Sequence, residues 1–238
     1  RAFDTLPSEV VTIPGIEYAI TSNGAAVYKI KDKRCLNSYV LKESSVAGII
    51  KNTAGYPVTY EAFIRGKAYA SKEYIADPVK FGATPKAIEY VRSTRTLQED
   101  IVSFIYEHKH ELDSIDIVLD DDELKNRIIK ELYEKDPNIY ITSSVKQLIE
   151  ISYKDAGKKS GVRFLADRLG IDRKNIAAFG DADNDCDMIE FAGAGVAMGN
   201  ACDALKEAAD YITLSNDDDG LAYAIYNILN ILYIIYVI

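Results

Sequence analysis

The stretch Asn175 to Gly193, NIAAFGDADNDCDMIEFAG, holds the densest chemistry in the sequence. An apolar run ends at Gly180, and Asp181, Asp183, Asn184 and Asp185 follow at once. If the run is a strand, these side chains stand beyond its carboxyl end, where open α/β sheets bind their ligands. Oxygen donors of this kind suit a hard cation. Mg2+ takes one or two protein carboxylates and completes its shell with water and substrate phosphate. The same acids would also cap a helix and complement its dipole, and spacing alone leaves both readings open. Upstream, Lys158 and Lys159 open a helix-period segment. There the free backbone N–H groups favour an anion, and an ammonium adds a point charge for phosphate. Taken singly, a solvated lysine pair is the simpler account. Asn200, after Gly199 at the end of another short apolar run, is expected to cap the next helix.

The elements that must position these residues repeat one pattern: an apolar run, a loop of Gly, Asp or Asn, then a helix-period segment. The pattern predicts strands over Gln147–Ser152, Ile176–Phe179, Gly195–Met198 and Tyr211–Leu214. Helices are expected over Lys158–Leu169, ending at Gly170, over Asp185–Ala192 and Ala201–Ala208, and from Gly220 onward. Such alternation implies an α/β fold, a Rossmann-like parallel sheet with helices on both faces. At the front, a helix over Phe3–Val11 should stop before Pro14-Gly15, and Tyr18–Ser22 should turn at Asn23-Gly24 into a strand over Ala26–Ile30. Between Tyr39 and Asn138 the order changes. Strands over Val58–Ile64 and Ala68–Ala70, joined by Arg65-Gly66-Lys67, sit among helices over Leu97–Glu107 and Asp121–Glu134. This is an α+β block, expected as a cap of residues 39–138 inserted into a core of residues 1–38 and 139–238. The acidic runs Asp120–Glu123 and Asp217–Asp219 read as solvated turns or helix starts.

Composition sets the limits. The 238 residues are 48% hydrophobic and 27% charged, enough for a packed core. A net charge of -9, without a basic run, excludes a nucleic-acid partner. Cys35, Cys186 and Cys202 lack the spacing of a zinc site and read as reduced thiols of a cytoplasmic protein. The uncharged segment Leu221–Ile238 just reaches the length of a membrane span, but Asn227, Asn230 and its tyrosines point instead to a terminal helix on the sheet followed by a β-branched tail.

Together, Gly180-Asp181-Ala182-Asp183-Asn184-Asp185, the run Val196-Ala197-Met198-Gly199-Asn200-Ala201, Ile20-Thr21-Ser22-Asn23-Gly24-Ala25 upstream and Asp219-Gly220-Leu221-Ala222 downstream resemble phosphatases of the haloacid dehalogenase superfamily, Cof-type subclass IIB. The resemblance covers nearly the whole chain. It implies a Mg2+-dependent hydrolase of small phosphomonoesters such as sugar phosphates, working through an aspartyl-phosphate. By resemblance, Asp181 would coordinate Mg2+, Lys158 would bind the transferred phosphoryl group, Asn184 would hydrogen-bond it, and Asp185 would orient the lysine. Asn23, Asn200 and Arg1 would lie at substrate or phosphate. Lys159 is the alternative to Lys158.

The family's Asp-x-Asp-Gly-Thr segment does not occur in the sequence. The sequence opens on Arg1, which matches the last residue of the family's Thr-Gly-Arg turn, so the natural amino terminus is expected upstream and this chain is expected to be inactive alone. Asp120/Asp122 and Asp181/Asp183 have the Asp-x-Asp spacing but fall in the cap and the metal loop. A phosphosugar mutase of the same fold is the neighbouring alternative, and a non-catalytic binding protein the more distant one.

Overall fold

In the computed structural model, which describes residues 1–230, the chain forms three sheets. The first is antiparallel, of β1 (Tyr18–Thr21), β2 (Ala26–Lys29) and β3 (Arg34–Ser38). The second has six strands: β4 (Thr59–Ile64), β5 (Lys67–Ser71), β6 (Thr96–Gln98), β7 (Ser114–Val118), β8 (Ile139–Thr142) and β9 (Leu148–Tyr153), in the order β6-β5-β4-β7-β9-β8. The third is parallel, of β10 (Ala177–Gly180), β11 (Ala194–Ala197) and β12 (Tyr211–Ile212).

The six-stranded sheet obeys the period-2 rule, so its two faces have different fates. Tyr60, Ala62, Ile64, Ile115, Ile117, Ile149 and Ile151 enter one apolar core. Helices α1 (Glu43–Thr53), α2 (Ile101–Glu107) and α3 (Asp122–Lys135) cover it through Ile49, Ile105, Ile128 and Leu132. Side chains in alternation with these face the other way. The core around the parallel sheet is built by α4 (Lys158–Leu169), α5 (Cys186–Phe191) and α6 (Asp203–Ala208), through Val162, Ala166, Ile189 and Leu205 against Ala178 and Ala197.

Three expectations shift. The strand expected over Gln147–Ser152 forms as β9, but it pairs antiparallel with β7 and β8 and sends Ile149 and Ile151 into the cap's apolar core. Residues 139–142 and 148–153 are thus hydrogen-bonded into the six-stranded sheet and not into the parallel one. The helix expected over Phe3–Val11 is two short turns, Phe3–Thr5 and Ser8–Val11. Pro7 is the cause, because the residue before proline avoids the helical region, and Leu6 is extended at ψ 138°. The helix expected from Leu97 begins only at Ile101, where the Asp100 side chain accepts from the Ser103 N–H, and Thr96–Gln98 forms an edge strand instead.

The acidic run at Asp120–Glu123 does start a helix: the Asp121 carboxylate accepts from the Leu124 N–H at 2.9 Å. At the other end, Gly220–Tyr223 is helical and continues into a wider turn over Ala224–Ile228. No helix among the described residues is long and apolar enough to cross a membrane. The tail expected to be β-branched lies outside the described residues.

β1 is not hydrogen-bonded to the parallel sheet, and α4 joins the two. Ile20 packs into the apolar core of α4 and α5, and a Cβ on Gly161 would sit 2.5 Å from the Ile20 side chain. The hairpin tip closes tighter still. Gly24 has φ +89°, and a Cβ there would lie 1.9 Å from the Gly157 carbonyl oxygen, just before α4. Gly24→Ala is therefore expected to push the tip off the start of α4. The variant should melt several degrees below the parent, and a melting temperature within a degree of the parent would contradict this contact.

Candidate active site

Backbone places the site. β10 ends at Gly180, and residues 181–185 cross from the strand end to the start of α5. The Asp185 carboxylate organises this loop. Its Oδ2 accepts from the N–H groups of Asp181 and Ala182 at 3.1 and 3.2 Å, and its Oδ1 accepts from Lys158 Nζ at 2.5 Å. Asp185 is buried, so these donors hold its charge where water does not reach. Gly180 leaves room for the arrangement, since a Cβ there would lie 2.4 Å from Asp185 Cβ.

Lys158 is the first residue of α4, at the end where backbone N–H groups have no partner within the helix. Lys159 differs. Among the described residues its ammonium makes no ion pair, while its neighbour Lys158 enters the site. Beneath this helix start lies Asp187, whose Oδ2 would meet a Cβ on Gly157 at 3.0 Å. Burial raises the Asp187 pKa, against hydrogen bonding from the Lys159 backbone.

Asn184 is 4% exposed and donates from Nδ2 to Asn23 Oδ1 at 3.2 Å, which binds the hairpin tip to the acidic loop. Among the described residues its own Oδ1 is buried without a partner, as is Ser22 Oγ. Ser22 and Asn23 both have positive φ, 49° and 51°, an uncommon conformation for residues with side chains and a mark of sites that hold strain. Asp181 is exposed. Its Oδ2 accepts from Asn200 Nδ2 at 3.1 Å, and Asn200 Oδ1 in turn accepts from the Asn216 N–H at 3.0 Å. Asn200 thus tethers two loops instead of capping α6, where the N-cap position belongs to Cys202. Asp183 accepts from the Cys202 thiol at 3.0 Å.

The structure brings Lys158, Asp185, Asn184 and Asn23 into two bonded pairs joined by consecutive residues, with Asp181 on the same loop and Asn200 bonded to it from the loop after β11. Arg1 reaches the group only through its backbone: its carbonyl accepts from the Ser22 N–H at 2.8 Å, while its guanidinium lies 4.6 Å from the centre of the Tyr90 ring. A set of residues on the cap escaped the sequence reading. Glu61, Asp116 and Glu150 are each the lone acid of their strand, TYEAFI, SIDIV and LIEISY. A charge isolated among apolar neighbours was the available signal.

Chemically, the site offers a fixed ammonium, a helix start and an exposed carboxylate at one strand end. That combination suits a phosphate with a hard cation beside it. Comparison with known proteins agrees. The 5-amino-6-(5-phospho-D-ribitylamino)uracil phosphatase YcsE of Bacillus subtilis (strain 168) is 42% identical over 107 residues, 45% of this chain and 43% of that protein. The candidate phosphatase YkrA of the same organism is 30% identical over 213 residues, 89% of this chain and 75% of that protein. Against the first curated relatives, the matched region covers less than half of their length. The solved structure of a haloacid dehalogenase-like hydrolase from B. subtilis has the same fold, with a TM-score of 0.79 at 24% identity over 95% of this chain and 85% of that one. The profile of the haloacid dehalogenase-like hydrolases matches residues 8–225 in one span that takes in the hairpin, the cap and the acidic loop, so this chain belongs to that family.

Proposed function

We propose that the site serves a Mg2+-dependent phosphatase of small phosphomonoesters. The observation that carries this reading is the Lys158 ammonium at the start of α4, held 2.5 Å from Asp185, with the neighbouring Asn184 Oδ1 unpartnered among the described residues. Lys158 would neutralise the phosphoryl oxygens, and Asp185 would fix the lysine's position. Asn184 and Asn23 would orient the phosphate from the hairpin side. The residues fit a hard cation: one oxygen of Asp181 is free of any hydrogen bond among the described residues, and Asn184 offers a buried oxygen in need of a partner. When bound, Mg2+ would supply charge stabilisation for the transferring phosphoryl group. The cap would cover the leaving group and exclude water. Relatives named as phosphatases, one of them acting on a phosphorylated ribitylamino-uracil, support a small phosphorylated substrate.

The attacking carboxylate is proposed to come from an Asp-x-Asp-Gly-Thr segment outside these 238 residues, as no such segment occurs in the sequence. Assayed alone with Mg2+ and an aryl phosphate, the chain is expected to show no turnover above background, and joined to that segment it should gain turnover. Activity of the unextended chain that vanishes on Asp181→Ala would place the nucleophile elsewhere and overturn this part of the reading. An extended chain that moves phosphate within a hexose without releasing it would favour a mutase.

A further inference from the structure

The chain passes from the β1–β3 sheet to the six-stranded sheet at residues 38–41, and one buried acid stands at that crossing. Ser38 ends β3, and its hydroxyl donates to Asp113 Oδ1 at 2.9 Å. Asp113 directly precedes β7, the strand between β4 and β9. The backbone around this bond is tied as well. The Tyr39 N–H donates to the Ala25 carbonyl at 2.7 Å, the Leu41 N–H to the Leu112 carbonyl at 2.9 Å, and the Asp113 N–H to the Phe63 carbonyl at 2.8 Å. The Tyr39 ring stacks on Tyr153, where β9 ends and the chain leaves the six-stranded sheet, with centroids 6.4 Å apart. The two crossings thus run side by side, as in a hinge, and Asp113 is the buried acid within it.

Asp113 is poorly provided for as an anion. It is 2% exposed, and among the described residues its Oδ2 is buried without a partner and no ion pair reaches its carboxylate. The Tyr28 phenol faces it from β2 and the Cys35 thiol from β3. Burial first and Asp113 second push both of these upward, so both are neutral near pH 7. Arg65, in the turn between β4 and β5, reaches outward to Glu111 at 2.9 Å with its side chain 80% exposed, and Glu111 also holds His108 at 2.6 Å. Asp4 is exposed and acts on Tyr28. Burial raises the Asp113 pKa, against the Ser38 hydroxyl and the nearby Gly66 and Arg65 backbone.

We propose that Asp113 is a proton-operated latch between the β1–β3 sheet and the six-stranded sheet, closed when its carboxyl is protonated and loosened when it is ionised. Closing takes the carboxyl out of water, which costs little for the neutral acid and much more for the carboxylate. The latch therefore holds fully below the ordinary carboxyl range and weakens as pH rises through the raised value. The hairpin it holds carries Asn23, bonded to Asn184 at 3.2 Å, so loosening reaches the acidic loop. The inference concerns the hinge and does not use the phosphate reading.

The test is amide hydrogen exchange of the 238-residue chain, followed by NMR from about pH 4 to about pH 8 and corrected for the intrinsic pH dependence of exchange. Protection of the Tyr39 and Leu41 amides is expected to fall about tenfold across that range. In Asp113→Asn, which is neutral throughout, it should change by less than about twofold. His108 and the other titratable groups are common to both proteins, so their effects appear in both. Ser38→Ala keeps the acid but removes a donor that favours its ionised form, so the fall should be larger than in the parent. Flat protection in the parent, an equal fall in Asp113→Asn, or no added fall in Ser38→Ala overturns the proposal.

Discussion

Replacing Arg95 by alanine is expected to lower folding stability by about 3–5 kcal/mol, the usual effect of removing one partner from a buried ion pair. The pair is deep: the Arg95 and Glu61 side chains are 7% and 0% exposed, and two parallel N–H···O bonds join them. Burial by itself would lower the arginine's pKa, but the charge and hydrogen bonds of Glu61 outweigh it and raise the value instead. Without Arg95, Glu61 is stranded next to Asp116, with Glu150 beyond, and among the described residues no other ion pair reaches these three acids. Urea denaturation should show the midpoint falling at an unchanged slope. The double variant Glu61→Leu with Arg95→Leu should be far closer to the parent, because it removes the charge together with its partner. A single variant within 1 kcal/mol of the parent would show that water reaches Glu61 and that the row is not a buried unit.

How far the sequence discloses this molecule differs between its halves, for a physical reason. Around α4, β10 and α5, local pattern and tertiary role coincide. The helix period over Lys158–Leu169 and the apolar run before Gly180 formed nearly as expected, and the acids after Gly180 fall at a strand end because the strand itself is short. In the cap the decisive information is register between distant strands. That Glu61, Asp116 and Glu150 become neighbours depends on the pairing of β4 with β7 and of β7 with β9, across 55 and 34 residues of chain. No window of sequence contains it. The assignment of Leu148–Tyr153 is the same difficulty at the level of a whole strand: its alternating pattern suits either sheet, and only the partner decides. Asn200 failed as a cap for a related reason. Its side chain found Asp181 and the Asn216 backbone, contacts set by how two loops converge.

The second large effect concerns the two adjacent lysines. In a chain joined to the proposed Asp-x-Asp-Gly-Thr segment, Lys158→Ala should reduce turnover at saturating Mg2+ by about two orders of magnitude, comparable to the loss of one strong transition-state contact. The geometry separates Lys158 from its neighbour sharply. Its ammonium is 2.5 Å from Asp185, which also receives the Asp181 and Ala182 N–H groups, so one carboxylate holds both the cation and the loop. Removing the ammonium leaves Asp185 buried with its backbone donors but adds an uncompensated negative charge where phosphate would approach. Both the positioning and the field then act against the transition state. Lys159, one residue on, is turned about 100° around the helix, and its ammonium makes no ion pair among the described residues, so Lys159→Ala should cost little. Asp181→Asn should act differently again, raising the Mg2+ concentration needed for half-maximal rate, because the carboxylate it alters is the one with a free oxygen for a cation. Rates measured across a Mg2+ series for the three variants distinguish these roles. Loss of activity in Lys159→Ala with Lys158→Ala tolerated would transfer the phosphate role to Lys159, and equal indifference of both would remove α4 from the chemistry.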